Sequence, residues 1–298
     1  MSLKLDIHLN LGQIPETKKR TPLHVSPQQM IDYIIKYNLS HAVILYKDIE
    51  EYREVRNNVL QTVKLYPLKW ITDVDVEVKQ LQEEEAVGVC VHSHRGTVDE
   101  SIYGLDYAGR PIHKIFKNLP ENFIVCVHTQ GVNSYRNISR AMSVVKWAAK
   151  YPHLKFLIEH TGSYLRKEFY PSVKSWDDLQ EGNGHVPAFL QDAIGSESCI
   201  QEALLASKKM HNIFCDSSIV SAKNYKAKLL DQSKDWAFGS DWPFENDLCS
   251  VDKQVKIFQK HYNYTDEDIQ AIHQRGVDFL EKSARQLFEE QDWQSNKY

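Results

Sequence analysis

No CxxC pair occurs in this sequence, and its five cysteines, Cys90, Cys126, Cys199, Cys215 and Cys249, are an odd number. A chain of 298 residues can bury a core without covalent staples, so the pattern reads as reduced thiols. Cys90, Cys126 and Cys215 lie in apolar runs, where a cysteine behaves as a small buried hydrophobe. No apolar run approaches the roughly 20 residues of a membrane span, and the first residues lack the profile of a secretory leader. A cytoplasmic protein with no membrane contact is expected. Charge of one sign is also missing: 36 basic residues face 40 acidic ones, a net charge of -4, so nucleic acid is not an expected partner. No repeat, low-complexity tract or composition shift marks a linker, and one domain over residues 1–298 is expected.

What is present is an alternation of short β-like runs with helical patterns. The runs that read as strands are Leu3–His8, Ala42–Tyr46, Leu68–Thr72, Val87–His92, Phe123–His128, Lys155–His160, Ile213–Asp216 and Trp236–Ser240. Between them, Pro27–Tyr37 places Met30, Ile31, Ile34 and Ile35 at helical spacing after a Ser26 cap, and Arg140–Tyr151 and Ser196–Lys209 read the same way. Strands separated by helices pair in parallel through crossovers. An open doubly wound sheet is the alternative, but the first βα turn offers no GxGxxG. The expected fold is an α/β (β/α)8 TIM barrel, which uses roughly 250 residues. Long loops follow strands 4 and 6 (Ser93–Glu121 and Thr161–Gly195), and extra C-terminal helices follow Ser250.

Among the C-terminal tips of those strands stand His8, His92 with His94 beyond it, His128, His160 and Asp241. In a parallel barrel the tips gather on one face. Imidazoles with a carboxylate are the ligand set that Zn²⁺ or a similar divalent ion prefers. In LDIHLNLG the period of two puts Asp6, His8 and Asn10 on one strand face, toward the barrel interior, and Leu5, Ile7, Leu9 and Leu11 on the other, toward helices. His24, His113, His153, His211, His261 and His273 fall in helical or connecting segments and are expected to be solvated.

With these residues in place, the chain resembles the amidohydrolase superfamily, in the TIM-barrel branch of metal-dependent hydrolases that also holds decarboxylases and lactonases. The matching pieces are DIH at strand one, VHT at strand five, EHTG at strand six, NIFCDSS at strand seven and FGSDWPF at strand eight. The resemblance implies that His8 and His128 bind a metal, and that Asp241 contacts it and handles the proton of the attacking water. It also implies that His160 is a ligand or orients water or the substrate carbonyl. Two departures stand out. Asn10 occupies the place of the second histidine of a DxHxH strand, and VGVCVHSH in strand four has neither Lys nor Glu to bridge two ions, so a single ion, zinc, is expected.

The function expected on this basis is hydrolysis of an ester, lactone or amide bond of a small-molecule substrate, with Asp241 and His160 as catalytic residues. Metal-assisted decarboxylation is the alternative reaction, and a degenerate barrel that has lost its metal through Asn10 is the alternative class. Asn10, His92, His94, Arg95 and Trp242 are the expected substrate contacts, and Arg110 and Arg166 also lie on the long mouth segments. A Ser/His/Asp triad around Ser240 is disfavoured because the GxSxG elbow is missing. Oligomeric state is left open, a homo-oligomer included.

Overall fold

The computed structural model describes residues 2–14, 23–71, 77–91, 115–128, 141–162, 210–218, 230, 235–243 and 250–295. Eight parallel strands follow one another in chain order: β1 (Leu5–Asn10), β4 (His41–Tyr46), β5 (Lys64–Ile71), β6 (Gly88–Val91), β7 (Ile124–Val127), β8 (Lys155–Ile158), β9 (Ile213–Asp216) and β10 (Trp236–Ala237). The last meets the first: Ile7 N donates to Phe238 O at 2.9 Å, Asp241 N to His8 O at 3.0 Å and Asn10 N to Trp242 O at 3.0 Å. The sheet therefore closes into the expected (β/α)8 barrel. A small antiparallel hairpin, β2 (Gly12–Ile14) and β3 (Leu23–Val25), was not foreseen. It leaves β1 through Gly12 at φ 82, a backbone region that favours glycine.

The described helices are α1 (Pro27–Lys36), α2 (Ile49–Asn58), α3 (Val78–Glu83), α4 (Ala141–Lys150), α5 (Val251–Tyr262) and α6 (Asp266–Ser295). α1 starts where its sequence says it should. The Ser26 hydroxyl accepts from Gln29 N, the Gln29 side chain accepts from Ser26 N, and Pro27 holds the first turn. The expected helix Ser196–Lys209 and residues 93–114 and 163–195 of the long mouth loops lie outside the described residues.

Every barrel strand contributes to one apolar cluster that contains Leu5, Ile7, Val43, Leu45, Leu68, Cys90, Ile124, Cys126, Leu157, Phe214 and Ala237, which fills the lumen. The alternate residues, such as Ile44 and Tyr46, pack outward on α1 and α2. Here β1 departs from its even alternation. Leu5 and Asp6 pair with His41 and Ala42, while Leu9 and Asn10 pair with Ile44 and Leu45, so an extra residue sits between Asp6 and Leu9. A bulge of this kind exchanges the two faces of a strand. Leu5 and Ile7 consequently lie in the lumen, Leu9 and Leu11 pack outward as expected, and Asp6 turns to α1, where Tyr33 donates to its Oδ2 at 3.3 Å. The three polar residues of β1 therefore do not share one face.

α6 closes the base. Val277 and Leu280 join the lumen cluster, and Gly276 allows the approach, because a Cβ there would lie 2.4 Å from Leu5 Cδ2 and 2.8 Å from the Ala237 Cβ. The same face buries His273, which corrects the expectation that it is solvated. It is 2% exposed, and its Nδ1 accepts from Leu5 N at 3.2 Å. His24, His211 and His261 are exposed and His153 is half-buried, and His113 lies outside the described residues.

Candidate active site

The strand tips bring His8, Asn10, His128, His160 and Asp241 together at the C-terminal mouth, with Glu159 and Asp216 beneath them. All but His128 are buried. His8 reaches the site because of the bulge. His128 follows β7 directly, and its neighbours Cys126 and Ile124 already face the lumen.

His160 arrives differently. β8 ends at Ile158 and a short 3-10 turn, Glu159–Gly162, follows, in contrast to a strand running to His160. Alternation along β8 would turn Leu157 and Glu159 inward and His160 outward. At φ 56 the backbone of His160 leaves that alternation, and His160 N donates to Asp216 Oδ1 at 2.9 Å. Asp241 has φ 55 and is held by His8 O. A non-glycine residue in this region costs about 1–3 kcal/mol, and here the hydrogen bonds to Asp216 and His8 hold it in place.

Each imidazole is anchored through Nδ1. His8 Nδ1 donates to Asp216 Oδ2 at 2.9 Å, and His128 Nδ1 to Glu159 Oε2 at 2.7 Å. His160 Nδ1 lies 2.6 Å from Ser218 Oγ, whose own proton goes to Asp216 Oδ1 at 2.5 Å, so the serine oxygen accepts from His160. His8 thereby turns Nε2 to within 3.3 Å of Asp241 Oδ1, and His160 turns its Nε2 to within 3.2 Å of His128 Nδ1. Anchoring one ring nitrogen on a carboxylate or hydroxyl is how proteins present the other to a metal.

The charges follow from this arrangement. Burial opposes a proton on His8, but Glu159, Asp241 and Asp216 surround it and raise its pKa to about 10. Burial holds His160 well below its ordinary range, reinforced by the neighbouring His128, and keeps it neutral. Burial also raises the Asp241 carboxyl to about 6 against the opposing pull of His8 and His128. A carboxylate poised there suits proton transfer near neutral pH.

Among the described residues, His8, His160 and Asp216 place one ligand atom each within 4.8 Å of one another, as do His128, Glu159 and His160. Asp241 stands in neither group. It meets His8, and Asn10 Nδ2 donates to its Oδ1 at 3.1 Å and to Trp242 O at 3.1 Å. Asn10 thus positions Asp241 with its amide nitrogen, while its own buried Oδ1 has no hydrogen-bond partner among the described residues. Trp242 packs against Tyr33 of α1, ring centroids 4.6 Å apart, and is half-buried. His92, His94, Arg95, Arg110 and Arg166 lie outside the described residues. Glu159 and Asp216 escaped the sequence reading, although Asp216 ends strand seven just as His8 and His128 mark the ends of theirs.

No known family matches the chain, and no curated protein does. Among solved structures it is similar to a probable 2-pyrone-4,6-dicarboxylic acid hydrolase from Acinetobacter baumannii with citric acid bound. The identity is 12% over 93% of this chain and 98% of that one, with a TM-score of 0.54. It is also similar to the formyltransferase/hydrolase complex of Methylorubrum extorquens (11% identity, 94% and 71% of the two chains, TM-score 0.47). A D-hydantoinase (dihydropyrimidinase) from Thermus sp. gives 10% identity over 87% and 60% of the two chains, with a TM-score of 0.42. The first likeness is one of architecture: the chain folds as a (β/α)8 barrel.

Proposed function

We propose that this protein is a metal-dependent hydrolase that opens an ester, lactone or amide bond of a small molecule. The observation that carries the reading is the cluster of three imidazoles at the strand tips, each held through Nδ1, with His8 Nε2 beside Asp241 and His160 Nε2 against His128. That donor set fits a divalent ion, zinc by its nitrogen and oxygen character, with His8, His128, His160 and Asp241 as the residues that would hold it. Such an ion supplies Lewis acidity and lowers the pKa of water to about 7.

The chain's own groups do the rest. Asp241, with a pKa of about 6, takes the proton of the attacking water and returns it to the leaving group. Asn10 holds the Asp241 carboxylate through its amide N–H, and its unpaired Oδ1 is satisfied by an N–H or O–H of the substrate. Asp216 fixes His8 and the backbone of His160 at once. Because the similar barrel from Acinetobacter baumannii is described as a probable hydrolase of a pyrone dicarboxylic acid, carboxylated lactones are the first substrates to try.

The test is a screen of lactones, esters, amides and carboxylated aromatics with and without added zinc. Zinc-dependent hydrolysis of one class, reduced about 10²- to 10⁴-fold in Asp241→Asn, is the expected result. Release of CO₂ in place of hydrolysis assigns the site to decarboxylation. Equal turnover by Asp241→Asn contradicts the assignment of the base.

A further inference from the structure

One layer below the mouth, the lumen holds groups that the proposed reaction does not use. Cys90 of β6 and Cys126 of β7 are register partners on neighbouring strands, both free and buried. Both thiols reach the same oxygen: Glu159 Oε1 is 3.3 Å from the Cys90 sulfur and 2.9 Å from the Cys126 sulfur. The three ligand atoms lie within 4.8 Å of one another. We infer that Cys90, Cys126 and Glu159 form a second cation site, which takes a thiophilic divalent ion such as zinc.

The layers of a barrel lumen are ordinarily filled by branched apolar side chains, and a fully buried carboxylate is costly there unless it is well compensated. Thiol S–H groups are weak donors, and a metal cation attracts a carboxylate oxygen more strongly than they do. Around a tetrahedral zinc, with Zn–S of about 2.3 Å and Zn–O of about 2.0 Å, sulfur and oxygen ligands stand about 3.5 Å apart. The present separations need to widen by only a few tenths of an ångström. Binding replaces two thiol protons, which leave for solvent, so that M²⁺ and two S–H groups give two metal-bound thiolates and two H⁺.

Glu159 also links this site to the mouth, since its Oε2 accepts from His128. The His128 side chain is 12% exposed, whereas that of Glu159 is fully buried.

Cobalt titration of the full chain tests this, because only thiolate ligation gives an intense near-ultraviolet sulfur-to-cobalt charge-transfer band. The wild-type protein is expected to take up two equivalents and show the band. Cys90→Ser and Cys126→Ser, each checked for folding by circular dichroism, should lose the band and one equivalent. His8→Ala should keep the band and lose the other equivalent, so failure of the mouth reading alone leaves this site visible. Cobalt bound by the wild-type protein without a charge-transfer band overturns the inference, as does a band that survives in both cysteine variants.

Discussion

The two ends of the barrel each bury a histidine to the same degree, His8 at the mouth and His273 at the base, both 2% exposed, and the two carry opposite charge states. At the base, burial and the nearby Lys4 lower His273 to about 4, and the neutral ring accepts from Leu5 N. At the mouth burial pushes in the same direction, but Glu159, Asp241 and Asp216 outweigh it and raise His8 to about 10. Burial sets the penalty for a charge, and the neighbours decide whether the penalty is met. At the base the His273 ring uses its polar contact to hold a strand. The mouth accumulates carboxylates around a proton, an arrangement in which a metal ion can take the proton's place.

The largest break in this comparison is Asp216→Ala. It removes the acceptor of His8 Nδ1, His160 N, and Ser218 N and Oγ together. Leaving buried partners uncompensated costs about 3–5 kcal/mol, read as a lowered urea midpoint. A loss under about 1 kcal/mol contradicts its role as the hub of the mouth.

Next comes the competition between proton and ion at His8. Because its pKa of about 10 must be overcome for the ring to ligate, zinc affinity should rise about tenfold per pH unit between pH 7 and 9. Calorimetric titration measures the slope, and a flat profile removes His8 from the ligand set.

At the base, His273→Leu leaves Leu5 N without its acceptor, for a loss of about 1–3 kcal/mol. The two ends also answer pH with opposite signs. His273 is lowered from 6.5 to about 4, so its contribution grows as pH rises from 4 to 6.5 and is lost on acidification. His8 is raised from 6.5 to about 10, so in the metal-free protein its contribution is full below 6.5 and is lost as pH climbs to about 10. Denaturation profiles of His273→Leu should show a weaker acid-side dependence, with His160 still contributing to it, and keep the alkaline one. The smallest effect is that of Tyr33→Phe, which removes one hydrogen bond to Asp6 and should cost about 1 kcal/mol.

The barrel was legible because each strand is a short apolar run set between helical patterns, and parallel pairing follows from that order. His8, His128 and Asp241 were legible as strand-tip residues. Two things were hidden. The alternation of LDIHLNLG carries no sign of a bulge, since the extra residue answers to pairing with β4 and closure onto the chain after β10, which are long-range constraints. His160 and Glu159 exchange roles for a related reason: strand parity favours Glu159 facing inward, and only the left-handed turn at His160 brings both into the site. Asp216 was available to the strand-tip argument and was passed over in a run, IFCD, that reads as plain core.

The most direct test of the central claim, that the mouth is built to hold an ion for hydrolysis, is the zinc content of the full chain after reconstitution and exhaustive dialysis. One equivalent that disappears in a His8→Ala/Asp241→Ala double variant is predicted, with any further equivalent tracking Cys90 and Cys126. A zinc content that the double variant leaves unchanged, or no retained zinc at all, contradicts it.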